Sequence, residues 1–485
     1  MTRIVDRNSE AEALIGLADD GDKKLALLYG RRRVGKTYLL ANLWPRERAF
    51  YFTASATTEE QNRRQLIQQA AQWSNEEIRE EDFPTWRTVF GRLLEMRSDH
   101  PLVIIIDEFQ YLGSEADNLV GVTSELNAAW EARGAGGDRP LLFVISGSSV
   151  RTLEALASGG APLYGRFAWV GKLEPFDYLD AWRMAPFSDL RDAAYSYGIF
   201  GGMPRYLAPV DPGRSLRENV TELVLDPRGE VRQQMQTALL QESGLRNFST
   251  YQGVLRAIAD GRAELNEIAQ RVGLPNDTPL RRKVDRLVDL RYVRRTRNLG
   301  AKRTTPYRYH LSDPAIRFYY TFVLPYESVL EVSDPFEVWD EHLKSKLDPY
   351  MGFVFEDIAA QAYPRLRESR ALPMVREWGR WEGKDRAGDP LELDIACDLV
   401  GEGVLTGLVK WNESPLAPRW HIRHLQMIDR LAMSGVKWAY AAKEEDAPLL
   451  YVAAGGFSDE FESIANSSRS FVELVSLRHL YQECL

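Results

Sequence analysis

Gly30-Arg31-Arg32-Arg33-Val34-Gly35-Lys36-Thr37 sits between a run that reads as a buried strand, Lys24 to Tyr29, and a segment of helical spacing, Lys36 to Leu43, that Pro45 stops. Strand, glycine-bounded loop and helix in that order fit the Walker A pattern. Its spacing has a physical reason. The glycines permit a tight turn and let backbone N–H groups approach phosphate, and the following helix N-terminus adds a partial positive charge. In this reading Lys36 reaches the β- and γ-phosphates of a nucleotide and the Thr37 hydroxyl ligates magnesium. The expected nucleotide-binding set is Gly30, Arg31, Arg32, Arg33, Val34, Gly35, Lys36, Thr37 and Tyr38.

Further along, Leu102 to Ile106 is again apolar and ends in Asp107-Glu108. Two acids at the carboxyl edge of a buried parallel strand lie where ligands bind in such sheets. Asp107 is expected to hold magnesium, with Thr37, and Glu108 to polarise the attacking water as general base. Ala49 to Thr53 and Leu141 to Ile145 read as two more strands. Gln61 to Trp73 and Trp86 to Arg97 have helical spacing between them, which implies a parallel sheet covered on both faces. Ser148, after the fourth strand, has two readings: a hydroxyl between γ-phosphate and water, or a plain Gly-Ser turn. Arg166 is either a cation for the γ-phosphate, in cis or from a neighbouring copy, or an ordinary surface arginine.

At 485 residues the chain is too long for one core, and roughly three domains are expected. Its apolar runs fall far short of the ~20 residues a membrane helix needs, so no membrane association is expected. The N-terminal Met-Thr-Arg-Ile-Val-Asp-Arg has no apolar signal core. Cys397 and Cys484 make no disulfide framework, which suits a reducing cytoplasm.

Net charge is −9, yet eleven lysines and arginines fall between Thr278 and His310 against two acids, Asp285 and Asp289. Leu265, Ile268, Ala269 and Val272 share one helix face, Gly273 ends that helix, and Thr278-Pro279 opens another with a capping hydroxyl. Arg281, Arg282 and Arg286 lie opposite its apolar stripe, and a basic strand pair follows, Tyr292 to Arg297 and Arg303 to Leu311. This is the pattern of a winged helix-turn-helix. Arg281, Arg282, Arg286, Arg294, Arg295, Arg297, Lys302 and Arg303 are the candidate DNA contacts. The competing reading is a winged helix that packs against protein only.

Several further motifs accompany these. Val5-Asp6-Arg7 with Glu10, Tyr29 to Leu40, Ile106 to Leu112, Gly147-Ser148-Ser149, Leu163 to Arg166 and Gly201-Gly202-Met203-Pro204-Arg205-Tyr206-Leu207 together resemble the archaeal-type ATPase family, AAA-related and STAND-like. The resemblance implies a helical lid carrying Gly202, Met203 and Pro204 near the adenine, and Arg7 beside the nucleotide. It also implies a winged helix and a C-terminal domain similar to PD-(D/E)xK nucleases. On the nuclease pattern Glu356 is the helical acid, Asp394 the strand acid within Leu391 to Ala396, and Lys410 the lysine. Leu408 stands where that pattern has an acid, so the nuclease is expected to be degenerate unless Glu392 or Glu413 compensates. His421 and His424 read as a surface pair without a third ligand.

The expected architecture is an α/β multidomain chain. A P-loop NTPase parallel sheet spans 1–175 and a helical lid 176–245. A winged helix-turn-helix spans 246–325 and an α/β restriction-endonuclease-like domain 340–485. The expected function is an ATP- and magnesium-dependent switch that binds DNA, alone or as a homo-oligomer or with a partner protein. An ATP-dependent nuclease and a signalling ATPase contacting only protein are the alternatives.

Overall fold

The computed structural model describes residues 5–113, 116–132, 140–242, 245, 247–467 and 471–482. Cys484 lies outside them. The chain divides into two compact units: Met1–Pro175 with Glu242–Gly244, and Phe176–Gln241 with Leu245–Leu485.

In the first unit, strands β1 (Lys23–Gly30), β2 (Ala49–Thr53), β3 (Leu102–Asp107), β4 (Leu141–Gly147) and β5 (Phe167–Leu173) form one sheet in the order β2-β3-β4-β1-β5. Every pairing is parallel. β3 and β4 are buried along their whole length. That is why both read as uninterrupted apolar runs rather than as alternation. Helices Glu59–Ser74 and Trp86–Glu95 bury Leu66, Ile67, Val89, Phe90 and Leu93 against Phe50, Ile104, Phe143 and their neighbours. β5 escaped the sequence reading. It is an edge strand whose exposure alternates, so Ala-Trp-Val-Gly carries no continuous apolar signal.

The second unit opens with short helices. Leu190–Phe200 ends at Gly201, whose φ of 66° lies in the left-handed region that glycine tolerates. Gly202 follows, and a Cβ there would stand 1.8 Å from the Phe176 carbonyl oxygen, so only glycine fits. Helix Pro204–Leu207 begins next, with proline in its first turn. Helices Phe248–Ala259, Leu265–Val272 and Thr278–Asp289 precede an antiparallel hairpin, β6 (Val293–Thr296) and β7 (Arg308–Leu311). The third helix is capped by Asp277, whose carboxylate accepts the Leu280 N–H at 3.1 Å. Thr278, expected to cap it, is already helical. Asp277 wins because it leaves the extended backbone that a cap requires.

The 27-residue helix Lys344–Arg370 leads into a second sheet. Strands β8 (Val375–Glu377), β11 (Ile395–Leu399), β12 (Val404–Lys410), β13 (Leu449–Ala453) and β14 (Val472–Ser476) run in the order β14-β13-β12-β11-β8. β9 (Trp381–Lys384) and β10 (Pro390–Leu393) pair as a separate hairpin. Leu391 to Ala396 is therefore not one strand: the chain leaves one sheet and enters the other at Asp394.

Candidate nucleotide site and a second acidic cluster

Gly35 precedes helix Lys36–Leu43 with φ 100°, and Arg33 adopts φ 68°, so the loop turns back on itself before the helix starts. A Cβ at Gly30 would come 2.4 Å from the Leu173 carbonyl oxygen of β5, which fixes glycine at the loop's first position. The turn brings Lys36 under the loop, where its ammonium donates to the Gly30 and Arg31 carbonyls at 2.8 and 2.9 Å. Burial lowers the Lys36 pKa, against the pull of Glu108, Asp107 and Glu242. Val34 and Arg31 are buried, whereas Tyr38 is half exposed on the helix.

Asp107 ends β3 fully buried. Its Oδ2 accepts the Thr37 and Tyr51 hydroxyls, each at 2.7 Å, and its Oδ1 accepts the Glu108 N–H at 2.9 Å. Tyr51, on β2, was missed in the sequence. Its signal was indirect, an aromatic two residues from the end of the strand neighbouring β3. Burial beside Asp107 holds its hydroxyl pKa well above the usual phenol range.

Glu108 takes a left-handed backbone at φ 52°, uncommon for a residue with a side chain and concentrated at functional sites. Its Oε2 accepts the Ser148 hydroxyl at 2.7 Å and the Ser148 N–H at 3.3 Å. Gln110 also donates to Glu108 and, at 3.3 Å, to Ser148. The Gln110 side chain packs over Gly147, where a Cβ would stand 2.1 Å from its Oε1. Arg32, from the phosphate loop, donates to the Tyr111 hydroxyl and lies 3.4 Å from Ser148 Oγ. The structure thus brings Thr37, Asp107, Glu108, Ser148 and Arg32 into one connected network, with Lys36 bonded to the backbone of the loop that carries Arg32.

Arg7 and Arg166 pair with groups outside that network. Arg7 is buried and donates to the Glu174 carbonyl at 2.6 Å. Arg166 is half exposed and paired with Glu131 at 2.7 Å. Pro204 belongs to the second unit.

In the second unit the candidate DNA-binding arginines separate into two groups. Arg281, Arg282, Lys302 and Arg303 are exposed, and Arg286 is partly buried. Arg294 is ion-paired at 2.5 Å with Asp357, a buried acid on the long helix. Arg295 lies 3.6 Å from Asp285, and the guanidinium of Arg297 stacks 3.7 Å over the Tyr307 ring. The hairpin cations are therefore not one free basic surface. Arg294 in particular anchors β6, because a buried carboxylate demands a partner.

The nuclease-pattern residues also meet. Asp394 is buried and its Oδ2 accepts Lys410 Nζ at 2.7 Å and the Val409 N–H at 2.9 Å. Carboxylate oxygens of Glu356, Glu392 and Asp394 lie within 4.8 Å of one another. Glu392 occupies the place beside the other two that the sequence left open between Glu392 and Glu413. Arg380 sits among the acids, 3.2 Å from Glu356 and 3.6 Å from Glu382, and also paired with Glu392. Burial, helped by the neighbouring acids, raises the Glu356 pKa to about 8 despite Arg380. Leu408 packs into an apolar cluster with Leu449, Tyr451 and Phe461.

His424 is fully buried, with Nε2 3.0 Å from the Thr406 hydroxyl, and is not a surface residue. It shares the inward face of helix Arg419–Met433 with Ile428 and Leu431, an i, i+4, i+7 stripe that could have been read. His421 Nδ1 lies 2.8 Å from the Tyr451 hydroxyl.

Among the described residues no helix is long and apolar enough to cross a membrane. An uncharacterized protein of Methanocaldococcus jannaschii is 26% identical over 421 residues, 84% of this chain and 88% of that one. A Walker-type ATPase of Pyrococcus abyssi aligns over 65% of this chain and 96% of its own at 21% identity, with a TM-score of 0.46. The ORC2 protein of Aeropyrum pernix, in ADPNP–ADP complexes, aligns over 68% of this chain and 95% of its own at 16% identity and a TM-score of 0.43. Residues 319–420 match a family described as archaeal and bacterial proteins of unknown function. Residues 4–210 match the family of ATPase domains found predominantly in Archaea, and the chain carries an ATP-binding α/β P-loop ATPase domain there.

Proposed function

We propose that the protein is a magnesium-dependent ATP-hydrolysing switch that holds DNA through the basic helix Thr278–Asp289 and the turn after β6. The carrying observation is the contact between the Glu108 carboxylate and the Ser148 hydroxyl at adjacent strand ends, within one network with the phosphate loop. The donor set fits a nucleotide with magnesium. Lys36 supplies a buried ammonium, and Thr37 and Asp107 turn oxygens toward each other in the chemistry that a hard cation prefers. Bound magnesium would supply charge neutralisation on the phosphates. Lys36 would exchange its loop carbonyls for phosphate oxygens. Glu108 would take a proton from water, with Ser148 and Gln110 fixing the carboxylate and Arg32 fixing Ser148. Arg7 and Pro204 remain candidate nucleotide neighbours, and Arg166 a candidate γ-phosphate cation once released from Glu131.

Lys36→Ala should abolish hydrolysis and weaken ATP binding. Glu108→Gln should keep binding and lower turnover by roughly 10²–10⁴-fold, the range for a lost general base. Normal turnover in Glu108→Gln would reject that role.

For DNA, the exposed Arg281, Arg282, Lys302 and Arg303 support phosphate contacts. Affinity should fall with salt at a log–log slope of roughly −0.9 per neutralised phosphate. Arg281, Arg282 and Arg286 changed together to Ala should lower both affinity and slope; unchanged retention would remove this helix from the interface. An ATP-dependent nuclease is the second reading, favoured by the proximity of Glu356, Glu392 and Asp394.

A further inference from the structure

In the first unit, helix Glu59–Ser74 buries Asn62, Leu66 and Ala70 along one i, i+4, i+8 stripe, and Asn62 is fully buried. Asparagine is a weak helix former and is mostly found exposed, so a buried one is explained by what it bonds. Its carbonyl accepts the Ser55 N–H at 3.0 Å. Its amide donates to the Ser55 carbonyl at 2.9 Å and to the Tyr111 carbonyl at 2.8 Å. Both amide N–H groups and the carbonyl are thus in use.

Both segments that Asn62 ties together border Asp107 and Glu108. Ser55 lies just past β2, the strand whose Tyr51 bonds Asp107, and the intervening Ala54 N–H donates to the Asp107 carbonyl at 2.9 Å. Tyr111 closes the short helical turn Phe109–Tyr111 that starts directly after Glu108, and its N–H donates to the Glu108 carbonyl at 2.9 Å. From this turn Gln110 reaches Glu108 and Ser148, and the Tyr111 hydroxyl accepts Arg32. Phe109 and Leu112, fully buried, hold the turn on its apolar side, and Asn62 holds its backbone. The left-handed backbone of Glu108 persists only where its surroundings over-determine it. One amide therefore fixes the exits of two neighbouring strands against each other, beside the acid pair.

We propose that Asn62 is a positioning residue for ATP hydrolysis, acting through the turn Phe109–Tyr111. It keeps Glu108 in its left-handed backbone and places Gln110 and the Tyr111 hydroxyl against Ser148 and Arg32. The inference rests on Glu108 being the general base. Loss of the amide leaves the Tyr111 carbonyl without its donor, loosens the turn and lets the Glu108 carboxylate shift. A displacement of about 1 Å at a reacting group can cost roughly 10²-fold in rate.

The test is a double-mutant cycle on ATP turnover in the full chain, followed by release of labelled phosphate. Asn62→Leu and Asn62→Ser are each made alone and together with Glu108→Gln. Leucine keeps the shape of the side chain without its polar atoms, and serine keeps a polar group without the reach to Tyr111. Alone, each should lower kcat roughly 10- to 100-fold and leave KM for ATP within about twofold. In the Glu108→Gln background the same changes should cost less than about twofold, because the group that Asn62 positions is gone. A merely structural residue costs the same factor in both backgrounds, and that result overturns the proposal. Native kcat in either folded variant overturns it as well. Melting temperatures report folding; if neither variant folds, Asn62 is a determinant of the fold and the proposal falls. Normal turnover in Glu108→Gln alone would instead reject the general-base reading, so the two failures are told apart.

Discussion

Asp107 and Asp394 are the same residue type in nearly the same local setting. Each is buried at a strand end, and each accepts a backbone N–H at 2.9 Å. What differs is the rest of the shell. Asp107 faces two hydroxyls, Thr37 and Tyr51, whereas Asp394 faces the Lys410 ammonium at 2.7 Å, and its neighbours Glu356 and Glu392 face Arg380. A hydroxyl can turn and exchange its donor role for a ligand role when a cation arrives. An ammonium or guanidinium already supplies the positive charge and would have to leave. Two buried carboxylates therefore have opposite prospects: the first is poised for a metal, and the second has its charge matched inside the protein.

The largest effect should come from removing that internal charge. Arg380→Gln leaves three carboxylates within 4.8 Å without their guanidinium, and stripping one partner from a largely buried pair costs about 3 kcal/mol. Thermal unfolding without nucleotide should show the loss, and manganese should restore part of it in the variant while leaving the native protein's melting temperature unmoved. If manganese raised the native melting temperature as well, and Asp394→Ala removed that rise, the two sites would be alike and the nuclease reading would return. Leu408→Glu should not create a site. The new carboxylate would lie against Tyr451 and Phe461, and the cost of burying it should appear as destabilisation.

A smaller effect concerns a proton on helix Arg419–Met433, beside Thr406 of the strand that carries Lys410. Burial lowers the His424 pKa to about 3, with His421 and Lys410 adding to it, from 6.5 in an unfolded chain. A depressed folded value means that the unfolded state binds the extra proton. The stability is then complete above pH 6.5 and is lost as pH falls toward 3, by about 2 kcal/mol at pH 5. His424→Gln can keep a hydrogen bond to Thr406 without titrating. Denaturant melts of both proteins at pH 7 and pH 5 should show a smaller acid loss in the variant. Equal losses would place the acid sensitivity elsewhere, among the paired carboxylates.

These contrasts were unevenly legible. β1, the phosphate loop and β3 could be read because a fully buried parallel strand leaves a contiguous apolar run and the loop's glycines are fixed by local sterics. β5 could not, since an edge strand is only half buried. Asp394 was placed inside a strand because Leu-Glu-Leu-Asp-Ile-Ala alternates without a break, and nothing local says that the chain changes sheets there. The partners of Asp107 and of the acids around Asp394 are long-range matters: Tyr51 precedes Asp107 by 56 residues, and Arg380, just before the β9–β10 hairpin, reaches Glu356 on the long helix. Sequence names the acids, and tertiary packing decides what each acid faces.

The smallest effect sharpens the comparison from the first site. Tyr51→Phe removes one of the two hydroxyls on Asp107 Oδ2 and keeps the ring that packs there. One hydrogen bond to a charged group is worth about 1.5–3 kcal/mol, but Thr37 and the Glu108 N–H still hold the carboxylate. The surviving contacts should limit the loss in turnover to roughly tenfold, near 1.4 kcal/mol. If Tyr51 positions Asp107 for magnesium, the loss should appear as a higher magnesium concentration for half-maximal rate, with nucleotide affinity in the absence of metal unchanged. A purely structural role predicts a lower melting temperature and no shift in the magnesium dependence. Lower turnover with an unmoved magnesium midpoint would mean that Asp107 is held without its second hydroxyl, and that availability to a cation rests on Thr37 alone.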